Sequence, residues 1–178
     1  MLFFDIETSG LNANVDKITV VACVDSNSGT EHVFLFAEAT HNNDSQKYNE
    51  MKNAMIGLFD GSNCIAAFNG TCFDLKFISI FFGVEEHRTL NWTLKCVDVF
   101  EALRVCVGNY VSLNKVAAMN SIETKISNGR QAIKMAESKQ WKSLVEYCIK
   151  DVYITKQIYD LDIVKTGGYV VYKTKTLL

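Results

Sequence analysis

Three apolar runs near the start of the chain, joined by short connections, constrain the fold more than any other feature. The runs cover residues 2–6 (LFFDI), 17–25 (KITVVACVD) and 31–37 (EHVFLFA). They are separated by residues 9–16 and 26–30, which are rich in Ser, Asn, Asp and Gly and therefore typical of turns. Because parallel neighbouring strands need a crossover of a dozen or more residues, this spacing predicts an antiparallel three-stranded meander.

The rest of the chain alternates helical and extended patterns. Two further strands are predicted at 64–68 and 95–99, and a peripheral one at 169–173. Predicted helices cover 46–59, 73–82, 99–107, 112–119 (with Ser112 as N-cap), 130–138 and 141–163, the last ending near Gly167-Gly168. This order predicts an α/β fold with a mixed sheet, three antiparallel strands and then parallel strands, flanked by helices. With no repeat or linker, residues 1–178 are expected to form one domain.

Composition narrows the class of protein. Hydrophobic residues make up 48% and charged residues 21%, and no run approaches the ~20 apolar residues of a membrane span. With no signal-peptide pattern at the N-terminus, we expect a soluble intracellular protein that does not bind membranes. The six cysteines form no CxxC pair, so buried free thiols are favoured over a zinc site or disulfides.

Charge is distributed unevenly along the chain. Residues 1–89 contain 5 Lys+Arg and 12 Asp+Glu, whereas residues 90–178 contain 13 Lys+Arg and 8 Asp+Glu. An acidic half beside a basic half suits a protein that concentrates cations at one place and meets a polyanion elsewhere. A solvated Lys-rich helical surface explains the basic half equally well. The candidate phosphate contacts are Arg130, Lys134, Lys139 and Lys142.

The tripeptide Asp5-Ile6-Glu7 ends the first apolar run. Residues i and i+2 of a strand point to the same face, so the Asp5 and Glu7 carboxylates are expected to project together. Neighbouring carboxylates near a buried sheet repel each other at a cost, unless a cation neutralises them. A hard divalent ion with oxygen ligands would do so. The alternative is that Glu7 lies just past the strand, in water.

Further acids follow later elements. Asp74 comes after a predicted buried strand and a turn, in the first turn of a helix, where any carboxylate is favoured by the helix dipole. Tyr147 and Asp151 lie four residues apart on the long helix and share a face. Each has an ordinary structural interpretation by itself. Together with the strand DxE, however, they are what two divalent ions about 3.5–4 Å apart require, and such a pair catalyses in-line displacement at phosphorus.

Three segments, FDIETSGL at 4–11, FNGTCFDL at 68–75 and YCIKDV at 147–152, resemble the exonuclease motifs of the DEDDy family. This family includes DNA polymerase proofreading domains, RNase D and Werner-type exonucleases, and the resemblance implies a ribonuclease H-like fold with a five-stranded sheet. The five positions from Asn69 to Asp74 make the chain most similar to family B polymerase proofreading domains and small stand-alone relatives. The resemblance extends from residue 2 to about residue 160.

The resemblance implies a role for each motif residue and two bound divalent cations, Mg²⁺ or Mn²⁺. Asp5 would bridge both cations, and Glu7 and Asp151 would bind the first. Asp74 would hold the second through water. Tyr147 would orient the attacking water with help from the first cation. A sister family has His in place of this tyrosine, and none of the three histidines is near Asp151 in the sequence.

Residues beside the motifs also match the family. Thr8 and Leu11 match positions that contact the terminal nucleotide, and Asn69 would support that nucleotide or Asp74. Asp98, in CVDVF, resembles an aspartate of small relatives and is placed outside the site, with a structural role.

The leading hypothesis is therefore a metal-dependent 3′–5′ exonuclease that releases nucleoside monophosphates from DNA or RNA, with single strands favoured. Nothing in the sequence indicates base reading. The alternatives are a catalytically weak nucleic-acid-binding or scaffold module on the same fold, and a ribonuclease H-like endonuclease. The small size predicts that processivity would need a protein partner.

Overall fold

A mixed five-stranded sheet lies at the centre of the structure, a computed structural model that describes residues 1–124 and 129–172. Its strands are β1 (Leu2–Thr8), β2 (Ile18–Asp25), β3 (Glu31–Phe34), β4 (Ile65–Ala67) and β5 (Cys96–Asp98). The spatial order is β3-β2-β1-β4-β5. β1–β2 and β2–β3 pair antiparallel, whereas β1–β4 and β4–β5 pair parallel. The predicted meander followed by parallel strands is confirmed.

Helices cover both faces of this sheet. They are α1 (Phe36–His41), α2 (Ser45–Gly61), α3 (Asp74–Phe82), α4 (Glu86–Leu94), α5 (Val99–Val107), α6 (Leu113–Met119), α7 (Gly129–Glu137) and α8 (Trp141–Asp160). A separate two-stranded hairpin follows, made of β6 (Ile163–Thr166) and β7 (Tyr169–Tyr172). Within the described residues, no helix is both long and apolar enough to cross a membrane.

The alternation of side chains along β1 determines what each face of the sheet carries. Phe4 and Ile6 belong to the apolar core between the sheet and helices α2 and α3. Phe3 belongs to the core on the other face, which α7 and α8 cover. Because side chains alternate, Asp5 and Glu7 share the face of Phe3. The two carboxylates therefore lie on the side of the sheet that α8 covers.

Two helices were not predicted from the sequence. The third strand ends at Phe34 rather than at residue 37, and α1 follows it. The apolar run continues through this boundary because Phe34 and Phe36 are both buried, one in the strand and the other in the helix. Helix α4 was missed because Trp92 is its one buried residue, which gives almost no apolar periodicity.

The C-terminal end also differs from the prediction. Helix α8 ends at Asp160, not at residue 163. Gly167 and Gly168 do not end that helix but form the turn between β6 and β7, with φ of 53° and 87°. A two-residue hairpin turn with positive φ at both positions favours glycine. The predicted last strand is present to Tyr172, and residue 173 lies outside the described residues. Ser112 precedes α6, but its side chain makes no capping hydrogen bond.

Candidate active site

A cavity of about 250 Å³ lies at the carboxyl ends of β1 and β4, next to α8. All five residues that the sequence predicts to be catalytic line it: Asp5, Glu7, Asp74, Tyr147 and Asp151. They come from three elements that are distant in the sequence but meet at the end of the sheet where β1 and β4 terminate. Sites in open α/β sheets gather at such carboxyl ends of strands.

Three of the four carboxylates form a cluster. One oxygen each from Asp5, Glu7 and Asp151 lies within 4.8 Å of the others, and all three residues are partly buried. Trans ligands of an octahedral Mg²⁺ ion are about 4.2 Å apart, since its ligand distances are about 2.1 Å. Small side-chain rotations would therefore let one ion bind all three. Their hard oxygen donors fit Mg²⁺ or Mn²⁺ better than a soft metal.

The cluster forms because β1 and α8 face each other. Asp5 and Glu7 project from β1 toward α8, and Asp151 lies one helical turn after Tyr147 on the facing side of that helix. Tyr147 itself is buried in the core between the sheet and α8. Its ring is thus held in place by apolar packing, while the residue still borders the cavity.

Asp74 reaches the cavity from the other face of the sheet and is held differently. It is buried, and its Oδ1 accepts a hydrogen bond of 3.1 Å from the backbone N–H of Ile6. Strand β4 pairs with β1 only at Leu2 and Phe3, so the N–H of Ile6 lies beyond the end of that ladder. The Asp74 carboxylate satisfies this buried donor, which would otherwise be costly.

Burial raises the pKa of the Asp74 carboxyl to about 7, because a charged group is poorly solvated there. The hydrogen bond from Ile6 lowers this pKa, but the nearby negative charge of Asp98 raises it further. A divalent cation near Asp74 would favour the ionised form. A bound cation would therefore lower this pKa, whereas burial alone leaves the carboxyl partly protonated near neutral pH.

Two thiols flank Asp5. The Sγ of Cys148, on α8, donates to the backbone carbonyl of Asp5 at 3.4 Å and to its Oδ2 at 3.7 Å. Burial, and secondarily the Asp5 carboxylate, raise the pKa of the Cys23 thiol on β2. All six cysteines are free, as expected, but only Cys23 and Cys148 are buried, and Cys72 and Cys106 are exposed. The Cys23 thiol is therefore favoured in its neutral form, and the Cys148 thiol donates to the Asp5 carboxylate.

The three predicted substrate contacts take different positions. Asn69 lines the cavity, with the left-handed φ of 67°. Leu11 is 85% exposed and borders a neighbouring cavity together with Phe73. Thr8 is buried, and its hydroxyl donates to the carbonyl of Gly10. The structure thus brings Asn69 to the carboxylates. Thr8, the last residue of β1, and Leu11, in the connection from β1 to β2, lie beside the cavity rather than in it.

Sequence reasoning missed several residues that line the cavity. They are Phe68, Phe73, Ser112, Leu113 and Asn114. The two phenylalanines lie inside the second motif, where their apolar character suggested only strand and helix packing. The start of α6 carries no chemical signature in the sequence, and it reaches the site through tertiary packing.

Comparison with known families gives one match over most of the chain. The model of the RNase_H superfamily matches residues 2–162, a range that includes all of the carboxylates described above. No curated protein has a matching sequence.

Solved structures share the fold at low sequence identity. The family B DNA polymerase from the hyperthermophilic archaeon Pyrobaculum calidifontis superposes with a TM-score of 0.65 and 15% identity, over 87% of this chain and 23% of the polymerase. E. coli Exonuclease I in complex with a dT13 oligonucleotide superposes with a TM-score of 0.59 and 17% identity, over 89% of this chain and 39% of Exonuclease I. A structure described as the apo form of a nuclease superposes with a TM-score of 0.60 and 22% identity, over 89% of this chain and 69% of the nuclease. This chain therefore spans less than half the length of the first two.

Proposed function

The chain belongs to the RNase_H superfamily, and from this premise we propose that it is a metal-dependent 3′–5′ exonuclease that releases nucleoside monophosphates. One observation carries the proposal: carboxylates from β1, α3 and α8 border a single cavity together with Tyr147. A cluster of like charges of this kind is costly without cations, and it would suit the ligand set of a two-metal phosphodiester hydrolase.

The carboxylates would divide the binding of two divalent cations between them. Asp5, Glu7 and Asp151, whose oxygens already lie within 4.8 Å, would hold one ion. Asp74 would hold the second, with Asp5 shared between the two. When bound, such ions stabilise the attacking and leaving oxygens of an in-line displacement at phosphorus.

The remaining side chains would position the reacting groups. Tyr147, fixed by the core beneath it, would hold the attacking water by its hydroxyl. Asn69, Ser112 and Asn114 are polar residues that line the cavity, and they would contact the sugar or phosphate of the terminal nucleotide. Thr8 and Leu11 would contact the same nucleotide from the β1–β2 segment. Apolar Phe68 and Phe73 would limit access of bulk water.

The substrate is proposed to be a strand with a free 3′ end. The match of the three motifs to the DEDDy pattern supports this polarity. E. coli Exonuclease I, which shares the fold, is seen with a dT13 oligonucleotide, and this favours single-stranded DNA as the first substrate to test. RNA of the same sequence belongs in the same panel.

The test follows one oligonucleotide carrying a different fluorophore at each end, with Mg²⁺ or Mn²⁺. A 3′–5′ exonuclease releases the 3′ label first as a mononucleotide and shortens the 5′-labelled strand one nucleotide at a time. A circular single strand of the same composition should stay intact. Cleavage of the circle would instead indicate an endonuclease.

A matched pair of variants on one helix separates the site from contamination and from general charge effects. Asp151→Asn removes a carboxylate of the cluster, whereas Asp160→Asn removes an exposed carboxylate of α8 that pairs with Lys156. The first should be inactive and the second active. Equal activity of both variants would contradict the proposed site, and strand binding by a wild-type protein without turnover would favour a binding module.

A further inference from the structure

Asp98, the last residue of β5, concentrates hydrogen bonds to an unusual degree. It is 9% exposed and does not line the cavity. Its Oδ1 accepts from the backbone N–H groups of Asn69 at 2.9 Å, Phe100 at 3.1 Å and Glu101 at 3.3 Å. Its Oδ2 accepts from Thr71, from the N–H at 2.9 Å and from the hydroxyl at 2.6 Å. One carboxylate thus receives five donors from two segments.

Only part of this network is needed to begin a helix. Phe100 and Glu101 lie in the first turn of α5, so their two hydrogen bonds make Asp98 an ordinary N-cap. A serine would serve equally well there. The other three bonds come from the turn after the neighbouring strand β4: Oδ1 accepts a third donor, the N–H of Asn69, and Oδ2 accepts both donors of Thr71.

That turn determines where two cavity residues lie. Asn69 has the left-handed φ, and the N–H of Phe73 returns to its carbonyl at 3.0 Å. Asp74 follows directly as the first residue of α3. Since β4 and β5 pair in parallel with Ala67 opposite Asp98, the carboxylate lies beside the start of the turn. A carboxylate outside the cavity therefore bonds to the turn that contains Asn69 and leads into Asp74.

We propose that Asp98 is a positioning residue of the site: its carboxylate holds the Asn69–Thr71 turn so that Asn69 and Asp74 face the cavity. The catalytic part of this inference rests on the proposed exonuclease function. The positioning part concerns backbone geometry and can be judged separately. Removing the carboxylate should loosen the turn and weaken cation binding at Asp74, while the core of the sheet stays intact.

The test compares Asp98→Ser with Asp44→Ser. Asp44 is the N-cap of α2, where its side chain accepts from the N–H of Lys47, and it lies outside the cavity. Both variants keep a capping hydroxyl and lose a carboxylate, so they make the same change at two helices. Thr71→Val, which removes one donor and leaves Asp98 in place, gives a milder third variant.

Three readouts are needed. In Asp98→Ser, hydrogen exchange of the Asn69 and Thr71 amides, followed by NMR, should accelerate at least about tenfold. The Mn²⁺ affinity, measured by calorimetry with Mn²⁺ alone, should fall about 10- to 100-fold. The kcat at saturating strand should fall by a similar factor, with KM for the strand nearly unchanged. Thr71→Val should shift each readout in the same direction by less. Asp44→Ser should leave all three as in the wild type.

The outcomes separate this inference from the proposed function. Unchanged exchange at Asn69 and Thr71 would overturn the positioning role, as would faster exchange with wild-type Mn²⁺ affinity and kcat. If Asp98→Ser does not fold, Thr71→Val decides by the same criteria. If the wild type cleaves no strand, the exonuclease proposal fails, and the exchange and Mn²⁺ readouts still decide the role of Asp98.

Discussion

The two sides of the cavity hold their carboxylates in different ways. On the side of β1 and α8, Asp5, Glu7 and Asp151 are partly buried and gather within 4.8 Å of one another. On the side of α3, Asp74 is fully buried and anchored to the backbone N–H of Ile6. The first arrangement is a cluster of like charges, whereas the second is a carboxyl group built into the fold.

This difference separates two electrostatic costs, repulsion between like charges and desolvation of a buried charge. Mutual repulsion in the cluster is relieved either by a cation or by removing one charge. The cost at Asp74 is desolvation, so it depends on whether that carboxyl is ionised. Substitutions on the two sides should therefore respond differently to metal and to pH.

The largest effect is expected on the cluster side. Asp5→Ala or Asp151→Asn should lower Mg²⁺-dependent release of mononucleotides by about 1000-fold or more, or about 4 kcal/mol of transition-state stabilisation. In EDTA, Asp151→Asn should also raise the free energy of unfolding by about 1–2 kcal/mol, because it removes a repulsive charge. Activity assays and urea denaturation of the same preparations measure both.

Asp160→Asn is the control for this trade between activity and stability. It removes a carboxylate from the same helix and should keep activity while slightly lowering stability, since it breaks the ion pair with Lys156. If Asp151→Asn loses stability in EDTA as well as activity, the cluster is not under electrostatic strain.

The next effect concerns pH and the Asp74 side. In the folded protein without metal, burial raises the pKa of this carboxyl to about 7, against 3.8 for an ordinary aspartate. The folded state binds the extra proton between these values, so the free energy of unfolding should fall as pH rises from about 4 to 7. The upper limit of the change is about 4 kcal/mol.

Urea denaturation in EDTA from pH 4 to pH 8 measures this slope. Asp74→Asn should flatten it relative to the wild type, because the amide does not ionise, and Mg²⁺ should reduce it in the wild type. Identical slopes for wild type and Asp74→Asn would show that desolvation of Asp74 does not control stability in this range.

A smaller effect is expected from backbone packing on the Asp74 side. A Cβ added at Gly70 would lie 2.5 Å from the Cβ of Ala67 and 3.3 Å from Cζ of Phe4. Gly70→Ala should therefore cost about 1–3 kcal/mol of stability. Adding Ala67→Gly removes the closest atom and should restore part of the loss. A double variant no better than Gly70→Ala would show that this close approach does not limit the turn.

The smallest effect is expected at Tyr147. Tyr147→Phe keeps the ring in the core and removes only the hydroxyl, so kcat should fall about tenfold, or about 1.4 kcal/mol, without being abolished. Single-turnover kinetics at saturating Mg²⁺ measure it. A loss as large as that of Asp151→Asn would give the tyrosine a role equal to that of a metal ligand, and no loss would remove it from the reaction.

The sequence predicted the elements whose signals are local. Apolar runs bounded by turn residues located β1, β2, β4 and β5, and Gly83 and Gly108 marked helix ends where the backbone is left-handed. The end of β3, helix α4 and strand β6 were wrong or missed. Tertiary burial decides the first two: Phe36 is buried from a helix, and Trp92 is the one buried residue of α4. In β6, only Val164 and Thr166 are buried.

The same distinction between local signals and tertiary contacts applies to the prediction of the site. Spacing alone predicted that Asp5 and Glu7 share a face and that Tyr147 and Asp151 share another, and the structure has them around one cavity. Nothing in the sequence indicated that Asp74 accepts a hydrogen bond from Ile6, because that N–H is left open only where β4 stops pairing with β1. Contacts between separate elements, such as α6 at the cavity, have no local signal.

The most direct test of the two-metal site is a crystal structure of the protein with Mn²⁺, located by its anomalous scattering. Two peaks about 3.5–4 Å apart are expected in the cavity, one contacting Asp5, Glu7 and Asp151 and the other between Asp5 and Asp74. Asp151→Asn crystals soaked in the same way should lose or weaken the first peak. Absence of any anomalous peak near these carboxylates at saturating Mn²⁺ would contradict the account.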